Sequence, residues 1–430
     1  MKRVVETPAL YKNHETLAIV VRDLLSQIAF NKTLALSSKR VDYEVYGYSG
    51  IEQGAINQME IAMKLPITVG GALMPDAHHG YGLPIGGVLA ADNAVIPYGV
   101  GMDIGCRMCL SVYDISPTYM DEEHLKLKQV LIDSTQFGQG VFKRPMDDAI
   151  FSRDEFKTIK VVRDLKDKAF SQIGTSGGGN HFVEFGIVEV NEKDDSFNLE
   201  QGKYLAVLSH SGSRGLGASI ARHYTKLAMS QCKLPSEAKH LAWLDLNTAE
   251  GQEYWLAMTL AGDYASACHH QIHKRIAKAL GEQHLVMVEN HHNFAWKEQD
   301  AKGNEIIVHR KGATPAGKGV LGIIPGSMTS PGFIVKGKGI AASINSASHG
   351  AGRVMSRRKA KESLSKKEVK RFIKDAGVHV IGSGLDEAPH VYKDIHQVMA
   401  SQQDLVDVLG SFTPKIVRMC GDKHLSKIDS

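Results

Sequence analysis

Cysteine is scarce in this chain. There are five, Cys106, Cys109, Cys232, Cys268 and Cys420, an odd number with no framework spacing. That excludes a disulfide-stapled secreted scaffold and fits a reducing compartment. Long uncharged apolar runs are missing too. The N-terminal MKRVVETPALYKNHETLAIVV lacks the apolar core of a signal peptide or membrane span, so the expected setting is the cytoplasm, away from membranes. Aromatic residues make up only 7%, which disfavours a passive single-strand-binding protein built on stacking surfaces. Neither charge sign dominates: a net charge of +4 permits a polyanionic partner without demanding one.

Histidine and glycine are plentiful, at 20 and 42 residues. Many glycines imply places where the backbone turns sharply or comes close to a ligand. Helical periodicity is clearest in ETLAIVVRDLLSQIAF (15–30), GASIARHYTKLAMSQ from Gly217, the long run from Glu250 to Leu280, and VYKDIHQVMASQQDLVDVLG near the end. YLAVL, HLVMV, EIIVH and GVLGIIP read as strands. The alternation is irregular and no repeat period emerges, which points to an α+β fold with mixed sheets. No Pro/Ser-rich linker divides the chain, so residues 1–430 are expected to form one large unit, with a helical and strand region at 1–70 and a catalytic region at 71–430.

Five glycine-flanked polar motifs follow one another: MPDAHHGYG at 74–82, GMDIGC at 101–106, GTSGGGNHFVE at 174–184, LSHSGSRG at 208–215 and ENHHN at 289–293. Each borders a strand-like run, where loops present side chains from a rigid scaffold. Together they offer carboxylates, a thiol and imidazoles. That donor set suits first-row metals, and the carboxylates shift the expectation toward manganese or iron. No HExxH pattern occurs. His269 and His273 lie four apart on a predicted helix, a spacing that can bind metal, but the segment reads as an ordinary helix with a basic exposed face. Downstream, HRKGATPAGKGVLGIIPGSM (309–328) and SASHGAGRVMSRRKAK (346–361) join basic residues to glycine turns able to cradle phosphate, although neither a Walker nor a Rossmann site is expected. His349, on such a turn beside Arg353, can act as a nucleophile toward phosphorus. The run SRRKAKESLSKKEVKRF (356–372) reads as a solvated helix or basic surface.

These motifs in this order, MPDAHHGYG, VGMDIGCRM, GGGNHFVE, HSGSRG, HHN, RKGA, IPGSM and SHGAGRVMSR, resemble the RtcB family of RNA ligases. The resemblance runs from Met74 to Arg357 and continues through DEAPHVYKDIHQVM at 386–399. It implies a single α+β domain with a central metal and nucleotide cleft. It also implies an enzyme that joins an RNA 3′-phosphate, or a 2′,3′-cyclic phosphate opened first, to a 5′-hydroxyl, with GTP and two Mn²⁺ ions. The path would run through a histidine–GMP and then an RNA 3′-pp5′-G end. By the same resemblance, Asp103, Cys106, His181, His210 and His292 would hold the metals, with Cys106 bridging. His349 would be the nucleophile. The GMP pocket would draw on Asn180, His181, Phe182, Val183, Glu184, His292, Asn293, Pro325, Gly326, Ser327, Met328, His349, Gly350, Ala351 and Gly352. Arg214, Arg353 and Arg357 would hold RNA phosphates, and Asp76 and His78 receive no role. The expected form is a monomer, with room for an accessory activating protein.

Two departures touch the nucleotide. A family serine seven residues after the proline of PGSM is Gly332 here, and the family's terminal lysine falls near Met419, with Lys415, Arg418 and Lys423 as substitutes. The rival reading is a dinuclear metal phosphoesterase or end-processing enzyme without ligation.

Overall fold

The segments FVEFGIVEV and GKYLAVLSHS form an antiparallel pair, Phe182–Val190 against Gly202–Ser211, with Phe182 opposite His210. They lie at the centre of a sheet whose path is Leu321–Ile324, Gly332–Gly337, Val406–Met419, Phe182–Val190, Gly202–Ser211, Arg107–Tyr113, His284–His291. His379–Ile381 pairs parallel to the long strand off this path. The two ends of the path meet through one side chain: Asn290 donates to Ile323 O (3.3 Å) and accepts from Ile323 N (2.9 Å). The sheet therefore curls into a nearly closed barrel. This computed structural model describes residues 4, 7–14, 17–21 and 33–421.

Strand alternation gives the sheet two different faces. Val183, Phe185, Leu205 and Val207 point one way and pack with Ile272 and Ile276 of the helix Ala249–Leu280. Burying each such isoleucine contributes about 1.5–3 kcal/mol. Met108, Leu110, Ala206 and Leu208 point the other way, into a second apolar cluster. The long helix starts where the Thr248 hydroxyl accepts from Gly251 N (3.1 Å) and ends at Gly281, which adopts the left-handed conformation at φ 81°.

A second sheet follows the path Glu44–Val45, Thr68–His78, Ile85–Ala91, Glu305–Lys311, Asn293–Gln299. The chain passes from the first sheet to the second at a single residue, since His284–His291 and Asn293–Gln299 are separated only by His292. A cleft opens where the two sheets meet.

Most expected elements are present, with two exceptions. Of residues 15–30, only 17–21 are described, and 18–21 are helical; the rest lie outside the described residues. Near the end, the helical reading of VYKDIHQVMASQQDLVDVLG holds only for Ile395–Ala400, because from Val406 the chain is the sheet's 14-residue strand. Val406, Val408 and Gly410 pair with Gly337, Val335 and Ile334, so sheet pairing overrides a weak helical pattern. The basic run 356–372 forms two short helices, Arg357–Ser363 and Lys366–Asp375, capped by the hydroxyls of Ser356 and Ser365 and charged on their outer faces. Among the described residues no helix is long and apolar enough to cross a membrane.

Candidate active site

Register in the central sheet gathers four distant segments at one edge. Arg107 lies opposite both Ser211 and His291, and Phe182 lies opposite His210. The residues just outside those positions, Cys106, His181 and His292, therefore meet His210. Cys106 Sγ is 3.4 Å from His181 Nε2 and 3.2 Å from His210 Nε2. His210 Nε2 is 3.2 Å from His292 Nε2, and His181 Nε2 is 2.9 Å from Asp103 Oδ2. Glycine permits the crowding: a Cβ on Gly177 would lie 1.6 Å from His181 Nδ1, and one on Gly212 would lie 2.1 Å from Asp103 Oδ1.

The protonation pattern fits metal ligation. His210 Nδ1–H donates to Asn180 O at 3.0 Å, which leaves the Nε2 lone pair facing Cys106 and His292. Burial, then the neighbouring His181, pushes the His210 pKa down to about 3, and burial first of all holds His292 well below the ordinary imidazole range. Both are neutral ligands at physiological pH. Burial, followed by the Asp103 carboxylate, holds the Cys106 thiol well above its usual range. A sulfur facing two imidazole lone pairs and a carboxylate is a site for a cation, which would draw off that proton.

These groups line a cavity of about 470 Å³. Asp103, Cys106, His181, His210 and His292 all reach it, as do Asn180, Phe182, Glu184, Asn293, Pro325, Gly326, Ser327, Met328, His349, Gly350, Ala351 and Gly352. Val183 does not, because strand alternation turns it to the helix face. Glu184 sits on the cavity side, where burial raises its carboxyl pKa well above the usual range. Gly332, Phe412, Val417 and Met419 complete that wall. Arg418, a suggested stand-in for the missing lysine, points away and donates to Ile132 O at 2.5 Å; Lys415 is not on the cavity wall, and Lys423 lies outside the described residues.

His349 lies beside the thiol–imidazole cluster: its ring centroid is 4.9 Å from that of His292. One oxygen of Asp76 accepts from both His349 Nδ1 (2.6 Å) and His349 N (3.1 Å). The Nε2 lone pair is thereby left free. Asp76 is fully buried. Sequence reading left it without a role, since its partner lies 273 positions away. His78, pushed by burial to a pKa of about 4, lines the same cavity. Lys311, also unassigned before, has its pKa lowered by burial to about 7 and donates to Tyr81 O at 2.5 Å.

The three arginines divide. Arg357 and Arg353 line the cavity, Arg353 bound to Glu387 at 3.0 Å and Arg357 to the same carboxylate at 3.1 Å. Arg214 is not on the cavity wall; it donates to Thr175 Oγ1 (3.0 Å) and Gly138 O (2.5 Å). The run GKGVLG, 317–322, has the GxGxxG spacing, yet a strand rather than a helix follows it, so it lacks the helix N-terminus of a dinucleotide site.

Cys109, His269 and His273 form a second buried thiol–imidazole group. Its hydrogen bonds run in one direction. The Ser111 hydroxyl lies 2.7 Å from His273 Nδ1, and His273 Nε2 is 2.8 Å from Ser209 Oγ. Ser209 Oγ is 2.6 Å from His269 Nδ1, and His269 Nε2 is 3.2 Å from Ser211 O. The carbonyl at the end can only accept, so each hydroxyl and ring N–H donates toward it and both rings are neutral.

The family model described as tRNA-splicing ligase RtcB matches residues 58–159 and 142–419. The chain is 34% identical over 391 residues to the RNA-splicing ligase RtcB of Escherichia coli (strain K12), across 84% of this chain and 92% of that protein. It is 31% identical over 435 residues to the tRNA-splicing ligase RtcB of Archaeoglobus fulgidus, across 84% and 88%.

Proposed function

This chain belongs to the RtcB family and is an RNA ligase; on that premise we propose that it joins RNA 3′-phosphate or 2′,3′-cyclic phosphate ends to 5′-hydroxyl ends with GTP and manganese. The observation that carries the reading is the Asp76–His349 pair beside the thiol–imidazole cluster. Asp76 keeps the proton on Nδ1, so Nε2 can attack the α-phosphorus of GTP. An N–P bond forms and pyrophosphate leaves. An oxygen of the RNA 3′-phosphate then displaces His349, giving an RNA 3′-pp5′-G end. Finally the 5′-hydroxyl attacks the 3′-phosphorus and GMP leaves.

Two manganese ions would be held by Asp103, Cys106, His181, His210 and His292. When bound, they would polarise the phosphoryl oxygens and keep Cys106 as a thiolate. The chain's own residues do the remainder. Asn180 O and Asp76 fix the imidazole tautomers of His210 and His349. Arg357, half exposed at the cavity wall, is available to an RNA phosphate. Glu184, whose carboxyl pKa burial raises well above the usual range, can meet the base edge beside Gly332 and Met419. Among the described residues no lysine stands on that wall, and guanine selectivity is expected to be relaxed. A reducing cytoplasm suits the buried thiols of Cys106, Cys109, Cys232 and Cys268, and a monomer suits a site built from one chain.

The test is to incubate the protein with α-labelled GTP and Mn²⁺, then ask whether label survives denaturation. Label should remain on the wild type and vanish in His349→Ala, while that variant still joins a pre-made RNA 3′-pp5′-G end. An unlabelled wild type would favour the phosphoesterase reading instead.

A further inference from the structure

Aromatic residues are few here, yet three rings meet at the mouth of the cavity. Tyr81 is 66% exposed, with its centroid 6.3 Å from Tyr98 and 6.2 Å from His240. Tyr98 and His240 are 5.2 Å apart and tilted at 38°. Tyr81 and Tyr98 line the cavity from the second sheet's side, facing the central-sheet wall of Glu184 and Met419. Gly82 lets the chain pass close to His240: a Cβ there would lie 3.0 Å from His240 O. Two lysines stand near the three rings. Lys311 Nζ lies 5.0 Å from the Tyr98 centroid, and Lys239 precedes His240 in the chain.

An exposed ring backed by two others at the edge of the cavity has the chemistry of a stacking platform for a nucleobase. His349 lines the same cavity as Tyr81 and Tyr98. Gly312 follows Lys311, and a Cβ on Gly312 would lie 3.1 Å from His349 Cε1. A nucleotide whose 3′-phosphate is at His349 would lie in the cavity that Tyr81 lines. We propose that Tyr81, backed by Tyr98 and His240, stacks the terminal base of the RNA strand that brings the 3′-phosphate. The proposal rests on the ligase reading above and adds to it the site for the RNA end.

The experiment uses the full chain with GTP and Mn²⁺ and an RNA oligonucleotide with a 3′-phosphate and a blocked 5′ end. It follows two signals: label on His349, and conversion of the oligonucleotide to its 3′-pp5′-G form against RNA concentration. Tyr81→Ala should still acquire label on His349, showing an intact nucleotide side, while KM for the RNA rises on the order of tenfold and kcat changes little. Tyr81→Phe and Tyr81→Trp should restore the wild-type KM. An oligonucleotide whose terminal nucleotide is abasic should weaken the wild type by a similar factor, and Tyr81→Ala should add no further loss. Normal labelling with an unchanged KM would overturn the platform alone, as would losses from Tyr81→Ala and the abasic end that multiply. Absence of label on the wild type would overturn the ligase reading, and the platform with it.

Discussion

Two thiol–imidazole clusters lie three residues apart along one strand, and they differ in what their nitrogens face. Cys106, with His181, His210 and His292, opens into the cavity, and its ring nitrogens point at one another and at sulfur. Cys109, with His269 and His273, lies on the helix face, where serines and one carbonyl engage all four ring nitrogens. The residue types are nearly the same. A metal site requires lone pairs left over after hydrogen bonding, together with a path from solvent, and only the first cluster has both.

The strongest way to break this comparison is to replace the two thiols separately. Cys106→Ser is expected to lose bound manganese and to lower ligation by roughly a hundredfold or more, since even outer partners of metal ligands cost ten- to a hundredfold. Cys109→Ser should keep its metal content and activity. Equal metal loss in the two variants, measured by elemental analysis, would show that both clusters ligate.

A pH titration sharpens it. Burial, then His270 and His284, pushes the His273 pKa down to about 3, against about 6.5 in the unfolded chain. Below pH 6.5 the unfolded state takes up a proton that the native state refuses, so stability falls as pH drops from 6.5 toward 3, by up to about 1.4 kcal/mol per pH unit for this group. His273→Gln should flatten that part of the curve in denaturant unfolding. An unchanged slope would mean that His273 is protonated in the fold.

Ser209→Ala removes the hydroxyl between the two rings of the sealed cluster and leaves two ring nitrogens without partners. The expected cost is about 1–3 kcal/mol of stability, read as a lower denaturant midpoint, with metal content untouched. The smallest effect concerns the open side. Met419→Lys puts a charged donor on the wall beside Gly332, and in competition between GTP and ATP for His349 it should raise guanine preference by roughly tenfold. No change would place base recognition elsewhere on the wall.

Local signals carried much of the fold. The helix Ala249–Leu280 was readable because Thr248, Gly281 and a 3.6-residue pattern agree. Asp103, Cys106, His181, His210 and His349, which the fold gathers at the cavity, could be singled out because each stands in a short motif beside glycine. Other features were not legible. Val183 belongs to the same motif as Glu184, but only the sheet's second neighbour shows which of the two faces the cavity. The strand Val406–Met419 looked partly helical because its pairing partners lie at 182–190 and 332–337, far away in sequence.

The sequence by itself determined the chemistry on offer: thiols, carboxylates and imidazoles set among glycines. Only the tertiary structure decided which of them work together. Asp76 holds His349 across 273 positions, and Cys106 meets His210 across 104, through strand register that no local pattern encodes. The physical reason is that a side chain's lone pair is defined by its neighbours. Ser209 closes those of His269 and His273, while Asn180 O binds the far nitrogen of His210 and leaves the near one open.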